Sequence, residues 1–214
     1  MRRQVQPEIL DTLPPNHPDA LHNRRDLRLT NGIMGNHRWF ARTLPPLVRT
    51  GERILEIGAG DGALGLRLAA RGVPVDGLDL WPRPGAWPAA RAWHRTDLLK
   101  FGGFADYEVI IGNLIFHQFP ADQLAALGRQ LVRTARVIVA CEPMRRRVSQ
   151  VVFARLAPLL GANAVSLHDA HVSIAAGFCE RELPEMLGLD ASRWEVRCST
   201  RPLGAYRMVA VRRP

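Results

Sequence analysis

The residues whose types and spacing could carry chemistry begin with three alternate glycines in the segment Ile54–Gly62, ILEIGAGDG. Gly58, Gly60 and Gly62 follow a short apolar run directly and precede a stretch with helical apolar spacing. Glycines at a strand-to-helix turn allow a tight bend and close approach of a ligand, and the start of the helix supplies free N–H groups. The segment therefore predicts a nucleotide-type site at the first strand–helix turn of an α/β sheet.

Two reading frames of this turn compete. Residues Gly60–Gly65 fit the pattern Gly-x-Gly-x-x-Gly, the dinucleotide fingerprint, but this frame starts two residues after the turn has opened. In the other frame Glu56 takes the last inward position of the strand, and the alternate glycines begin two residues later. A carboxylate there, with Asp61 inside the turn, suits an ammonium group and a ribose better than a pyrophosphate, because like charges repel. We therefore favour the frame that starts at Glu56.

A second acidic residue lies where a ribose-binding carboxylate is expected, about 20 residues further on at the end of the second strand. Asp79 stands 21 residues after Gly58 and is followed by Leu80 and Trp81. A carboxylate at this point can accept hydrogen bonds from both ribose hydroxyls, while an apolar or aromatic neighbour packs on an adenine. Asp76 is the rival, but it lies in the middle of the predicted strand.

The elements that would position these residues alternate along the chain as strand, helix, strand. Seven segments have the apolar or alternating pattern of strands: Arg53–Ile57, Val73–Leu80, Ala92–Thr96, Tyr107–Leu114, Arg136–Cys141, Trp194–Ser199 and Ala205–Val211. Repeated strand–helix order predicts the α/β class, with a doubly wound, mostly parallel seven-stranded sheet. The last two strands are joined through Pro202 and Gly204 and predict a closing antiparallel hairpin.

The first 46 residues precede this alternation. Residues 1–22 carry four prolines and no sustained periodicity, which predicts an irregular lead-in. Residues 23–40 have mixed apolar spacing that predicts one or two amphipathic helices, broken near Gly32 and Gly35.

Composition narrows the function classes further. The net charge of +9 would suit a nucleic-acid partner, but the basic residues are scattered and Lys100 is the only lysine, so we do not expect nucleic-acid binding. The three cysteines match no metal spacing and no disulfide framework, and we predict no metal site. No apolar run approaches the roughly 20 residues of a membrane helix, and no secretory signal is visible, so we expect a soluble cytoplasmic protein. The oligomeric state is left open.

Ordered motifs over residues 53–143 resemble those of class I S-adenosylmethionine-dependent methyltransferases. The motifs are ILEIGAGDGALGLRLA, VDGLDLWP, HRTDLLKF, YEVIIGNLIFHQF and RVIVACEP. The resemblance implies a Rossmann-like fold, S-adenosylmethionine as cofactor and S-adenosylhomocysteine as product. It also implies an N-terminal irregular segment and helical lid at residues 1–46, followed by one Rossmann-like methyltransferase domain at residues 47–214.

Carried over residue by residue, the resemblance implies a cofactor site. Three acids would bind polar groups of the cofactor: Glu56 near the methionine ammonium, Asp79 at the ribose hydroxyls and Asp97 at the adenine amino group. The other implied cofactor-binding positions are Gly58, Ala59, Gly60, Gly62, Leu80, Trp81, Leu98, Asn113 and Leu114.

The same resemblance narrows the methyl acceptor. Enzymes that methylate base amines or glutamine side chains carry an Asn/Asp-Pro-Pro-aromatic segment, whereas this chain has Asn-Leu-Ile-Phe at 113–116. We therefore expect a small-molecule acceptor, methylated on oxygen or carbon, of a phenolic, polyketide-like or quinone-like kind. His117 stands where small-molecule members often place a histidine and is the candidate general base, and a structural histidine that caps the next helix is the alternative.

Three other functions compete with this one. An RNA or protein methyltransferase is favoured only by the charge. An NAD(P)-dependent oxidoreductase would use the Gly60–Gly65 frame, but the chain lacks a Tyr-x-x-x-Lys pair. A protein of this fold that has lost activity and serves as a binding module is the third.

Overall fold

Seven strands form a single sheet in the computed structural model, which describes residues 1–14 and 16–214. They are β1 (Ile54–Ile57), β2 (Asp76–Asp79), β3 (Trp93–Arg95), β4 (Val109–Asn113), β5 (Val137–Pro143), β6 (Trp194–Thr200) and β7 (Ala205–Arg212). Their order is β3-β2-β1-β4-β5-β7-β6, and β7 runs antiparallel to both of its neighbours while the other six share one direction. The predicted mostly parallel sheet with a closing antiparallel hairpin is confirmed.

The helices cover both faces of this sheet and the carboxyl ends of its parallel strands. They are α1 (Pro18–Met34), α2 (Asn36–Thr43), α3 (Ala63–Ala69), α4 (Ala121–Thr134), α5 (Arg147–Leu156), α6 (Ala164–Ala176) and α7 (Glu182–Met186). One core cluster joins α4 and α7 to one face, and a second joins α2 and α3 to the other. Helices α1, α5 and α6 pack together over the carboxyl ends of the parallel strands. No helix within the described residues is long and apolar enough to cross a bilayer.

The central strands are buried on both faces because helices cover both. Alternate residues of β4 belong to different cores: Ile110 packs on the α4 side, whereas Val109 and Ile111 pack on the α3 side. Their partners on β5 alternate in the same way, with Ile110 opposite Ile138. Continuous apolar runs of this kind are typical of parallel strands inside an α/β sheet.

The prediction of an irregular segment over residues 1–22 is wrong at its carboxyl end. Helix α1 begins at Pro18, in the first helical position where a missing N–H costs nothing, and His17 caps it. The predicted break near Gly32 is also wrong, since α1 continues through this residue. The break is at Gly35, which takes a left-handed φ of 66° between α1 and α2.

The polarity of α1 is the reverse of what its sequence pattern suggests. Its buried residues are Ala20, Asn23, Asp26 and Asn31. Its large apolar residues are exposed: Leu21, Leu27, Leu29 and Ile33. The reason is that α1 packs on a polar partner: the side chains of Asp169 and Ser166 on α6 hydrogen-bond those of Asn23 and Asp26.

The close approach of Gly128 on α4 to the backbone of Leu187 gives a test of the packing. A Cβ atom on Gly128 of α4 would lie 2.2 Å from the carbonyl oxygen of Leu187, a backbone atom that cannot rotate away. We expect Gly128→Ala to lower the free energy of unfolding by more than about 2 kcal/mol, as overpacking does.

Gly32→Ala is the matched control, because Gly32 is also helical and its added Cβ would meet nothing within 4 Å. This variant should be neutral or more stable by up to about 1 kcal/mol, since alanine favours the helix. Urea unfolding of both variants measures the difference, and equal effects would contradict the packing described.

Candidate ligand-binding site

The parallel strands end at a cavity of about 810 Å³ that α1, α5 and α6 cover from the other side. In open α/β sheets, ligands bind at the carboxyl ends of the parallel strands. All of the predicted cofactor-binding residues except Gly62 line this one cavity: Glu56, Gly58, Ala59, Gly60, Asp79, Leu80, Trp81, Asp97, Leu98, Asn113 and Leu114. The sequence thus identified one wall of a real cavity.

The three glycines of the first turn differ in what they do. Gly58, Gly60 and Gly62 have left-handed φ values of 63°, 56° and 75°, which side chains other than glycine adopt only under strain. A Cβ on Gly62 would lie 2.9 Å from the ring of Trp87, so this residue sits behind the cavity wall. A Cβ on Gly60 would meet nothing within 4 Å and would project into the open cavity. Gly60 is therefore the point where a ligand can approach the backbone.

Glu56 is the buried acid of the site. The residue is 2% exposed, and its Oε2 atom has no hydrogen-bond partner among the described residues. Burial, and then the charge of Asp79, raises the pKa of Glu56 well above its usual value. A buried carboxyl oxygen without a donor is costly, so this atom indicates a ligand group that donates a hydrogen bond or carries positive charge.

Asp79 and Asp97 both hold backbone turns. The Asp79 carboxylate accepts hydrogen bonds from the N–H groups of Gly60 (2.7 Å) and Trp81 (2.9 Å), which ties the glycine turn to the end of β2. Asp97 accepts a hydrogen bond from the N–H of Leu99 at 2.9 Å. An ionised carboxylate has about four acceptor sites, so both acids retain capacity for a ligand.

Two arginines of α1 that the sequence motifs did not indicate contact the glycine turn and the loop after β2. The Arg24 guanidinium stacks on Trp81, with 3.6 Å from its central carbon to the ring centroid. Arg28, one helical turn later, pairs with Asp61 at 2.8 Å. Their spacing of four residues, which places both on one helix face, was the available signal in the sequence.

The end of β4 is fixed by a small amide network. Asn113 donates a hydrogen bond to Asn31 of α1 at 3.0 Å, and Asn36 donates to the same oxygen at 3.0 Å. Leu114 has a left-handed φ of 59°, a strained backbone for a residue with a side chain. Strain of this kind costs about 1 kcal/mol or more and persists where surrounding contacts enforce it.

His117 lies between two carboxylates. Its Nδ1 atom is 2.7 Å from Glu142 and its Nε2 atom is 3.1 Å from Glu8. Burial lowers the pKa of His117, but the hydrogen bonds and charges of Glu142 and Glu8 outweigh burial and raise the pKa to about 9. A general base needs an unprotonated nitrogen that faces the substrate. The contacts therefore favour a structural role, but the predicted helix cap is wrong, because Pro120 is the N-cap of α4 and no side chain caps this helix. The general-base role stays a prediction without support from this geometry.

Asp11 lines the cavity but was not predicted from the sequence, because it falls in the segment predicted to be irregular. It is accessible from the cavity and, alone among the described acidic residues that line it, has no hydrogen bond or ion pair through its carboxylate. Loss of hydration around the carboxyl and the charges of Glu8 and Asp169 raise the pKa of Asp11 to about 6, although the residue as a whole is exposed.

Comparison with known proteins gives a fold and no closer relationship. No family model and no curated protein matches the chain. The plantazolicin methyltransferase BpumL, in complex with a triazolic desmethylPZN analog and S-adenosylhomocysteine, is 13% identical with a TM-score of 0.70, over 96% of this chain and 93% of that chain. The plantazolicin methyltransferase BamL is 9% identical with a TM-score of 0.69, over 95% and 92%.

A third solved structure is the magnesium protoporphyrin IX methyltransferase ChlM from Synechocystis PCC 6803 with bound S-adenosylmethionine. It is 18% identical with a TM-score of 0.54, over 89% of this chain and 84% of that chain. At these identities the likeness shows the fold alone. The chain has the Rossmann-like fold of these methyltransferases, as its motifs predicted.

The charged His117 gives a pH test. Because its folded pKa of about 9 exceeds the unfolded value near 6.5, its contribution to stability is complete below pH 6.5 and is lost as pH rises to about 9. We expect wild type to lose on the order of 3 kcal/mol of unfolding free energy across this window relative to His117→Gln.

Urea unfolding at several pH values measures this difference. His171→Gln, which removes an exposed histidine from α6, should keep the wild-type pH dependence. If the difference in unfolding free energy between wild type and His117→Gln does not change with pH, then His117 is not charged in the folded protein.

Proposed function

We propose that this chain is a class I S-adenosylmethionine-dependent methyltransferase that acts on a small-molecule acceptor and releases S-adenosylhomocysteine. The observation that carries the proposal is Glu56, a buried carboxyl residue that lines the same cavity as the open glycine Gly60 and whose Oε2 atom has no hydrogen-bond partner among the described residues. The methionine ammonium of the cofactor supplies such a donor. The fold shared with BpumL and ChlM supports the same proposal.

The residues present fit this cofactor. Asp79 would accept hydrogen bonds from the ribose hydroxyls, and Asp97 with the backbone of Leu98 would bind the adenine edge, beside the Trp81 ring. The bound cofactor supplies an activated sulfonium methyl group. The protein has to align an acceptor with that methyl and exclude water.

A nicotinamide dinucleotide fits the same residues less well. Glu56, Asp61 and Asp79 surround the glycine turn, so a pyrophosphate bound there would lie beside acidic side chains, and like charges repel. The frame that starts at Glu56 is the better interpretation of the turn.

The part of the cavity that α5 and α6 border would hold the methyl acceptor. Its lining suits an apolar molecule with one group that loses a proton. Its wall toward α5 is largely apolar, formed by Val148, Val152, Phe153 and Leu156, whereas α6 contributes Ile174 together with the polar Ser166, Asp169 and Ser173. We propose a phenolic, polyketide-like or quinone-like acceptor methylated on oxygen or carbon. Asp11 is better suited than His117 to take the acceptor proton, because its carboxylate has no partner among the described residues and its pKa is near 6.

Ligand-induced stabilisation tests the cofactor assignment. A ligand that binds only the folded state raises the melting temperature. We expect S-adenosylmethionine and S-adenosylhomocysteine to raise it, and NADH and NADPH to leave it unchanged, in thermal-shift measurements. Stabilisation by NADPH alone would favour an oxidoreductase.

Two glycine variants separate binding from backbone strain. Gly60 and Gly72 both have left-handed φ values, 56° and 75°, and a Cβ on either would meet nothing within 4 Å. Gly60→Ala and Gly72→Ala should therefore lose similar stability, about 1 kcal/mol. Only the first places a methyl group in the cavity, and we expect it to weaken S-adenosylhomocysteine binding more than about tenfold, a change of roughly 1.4 kcal/mol. Calorimetric titration measures both affinities, and equal affinities would remove Gly60 from the cofactor site.

A further inference from the structure

Helix α5 and the turn after it form an exposed apolar surface beside the cavity. No residue of α5 is buried, although half of its side chains are large and apolar. The exposed set, called the mouth face below, is Val148, Val151, Val152, Leu156, Leu159 and Leu160. Their exposures range from 48% for Val152 to 79% for Leu159. Contiguous exposed apolar surface of this kind marks a binding surface in soluble folds.

The mouth face is one side of the cavity opening. Val148, Val152, Leu156 and Leu160 line the cavity as well as being exposed to solvent. The exposed apolar residues of the other sides also line it: Leu27, Leu29 and Ile33 of α1, and Leu203 in the turn between β6 and β7. Exposed apolar side chains therefore lie on several sides of the opening, and they include the apolar residues that α1 leaves exposed.

Positive charge flanks this apolar ring. The stretch 143–168 contains four arginines and no aspartate or glutamate. Arg145 is paired with Glu182, but Arg146, Arg147 and Arg155 are exposed and form no ion pair within the described part of the chain. Arg147 and Arg155 lie two helical turns apart on α5, beside the apolar row of Val148, Val152 and Leu156. An apolar helix row bordered by arginines is the pattern of a helix that lies in a membrane interface.

We propose that the mouth face docks on an anionic lipid bilayer. The apolar side chains would lie at the boundary between headgroups and acyl chains, and the arginines would bind lipid phosphates. The cavity then opens toward the bilayer, and an apolar molecule dissolved there enters without crossing water. A second copy of the chain fits the face less well, because a symmetric contact would place the unpaired arginines of both copies near one another. This inference goes beyond the proposed function, and its test needs no catalytic activity.

Vesicle flotation tests the proposal. Purified protein is mixed with vesicles of phosphatidylcholine alone or with about one third phosphatidylglycerol, at low and high salt. We expect flotation with the anionic vesicles at low salt, less at high salt, and none with the neutral vesicles. The double variant Val152→Asp/Leu159→Asp should reduce the fraction of protein bound to vesicles more than about fivefold, because it places negative charge on the mouth face. Arg147→Gln/Arg155→Gln should also reduce it.

The matched control is Arg129→Gln/Arg133→Gln, which removes the same charge from the exposed face of α4 and should bind as wild type does. Melting temperatures of all variants establish that they are folded. The proposal is overturned by no flotation with anionic vesicles, by equal flotation with both kinds, or by wild-type binding of the Val152→Asp/Leu159→Asp variant. Light scattering that shows a dimer, dissociated by this same variant, would assign the face to a second copy and also overturn the proposal.

Discussion

Glu142, at the end of β5, is fully buried, and its carboxylate accepts hydrogen bonds from the consecutive backbone N–H groups of Ile115, Phe116 and His117. It therefore fixes the turn that follows β4 against the strand beside it. Through the His117 ring the same carboxylate reaches Glu8, and so it also holds the N-terminal segment. A buried ion cluster like this is stable only with every member in place, since removal of one leaves a charge without compensation. The wall of the cavity depends on it.

The N-terminal segment completes the site because its polar residues face inward. Asp169 on α6 accepts hydrogen bonds from the backbone of Ile9 and Leu10 and from the side chain of Asn23. These contacts place Glu8 and Asp11 at the cavity and leave the apolar residues of α1 at its opening. The polar contacts inside and the apolar surface outside are two results of one packing arrangement.

Charge divides the cavity into two parts with different chemistry. Near the glycine turn it is acidic, with Glu56 and Asp79 among the buried or partly buried carboxylates, which suits a cationic cofactor. Toward α5 it is apolar and opens between exposed aliphatic side chains. Under the proposed function, such a division would bring a charged methyl donor and an apolar acceptor together from opposite ends.

The sequence by itself determined the order of strands and helices along the chain, the tight glycine turn and eleven of the residues that line one wall of the cavity, because these depend on local periodicity and on short motifs. It did not determine the orientation of α1, the partners of His117 or the presence of Asp11 in the cavity. Those depend on contacts between residues more than a hundred positions apart, such as His117 with Glu8 and Asn23 with Asp169. An apolar pattern predicts that a helix has two faces, but only the polarity of the surface it packs against decides which of them is buried.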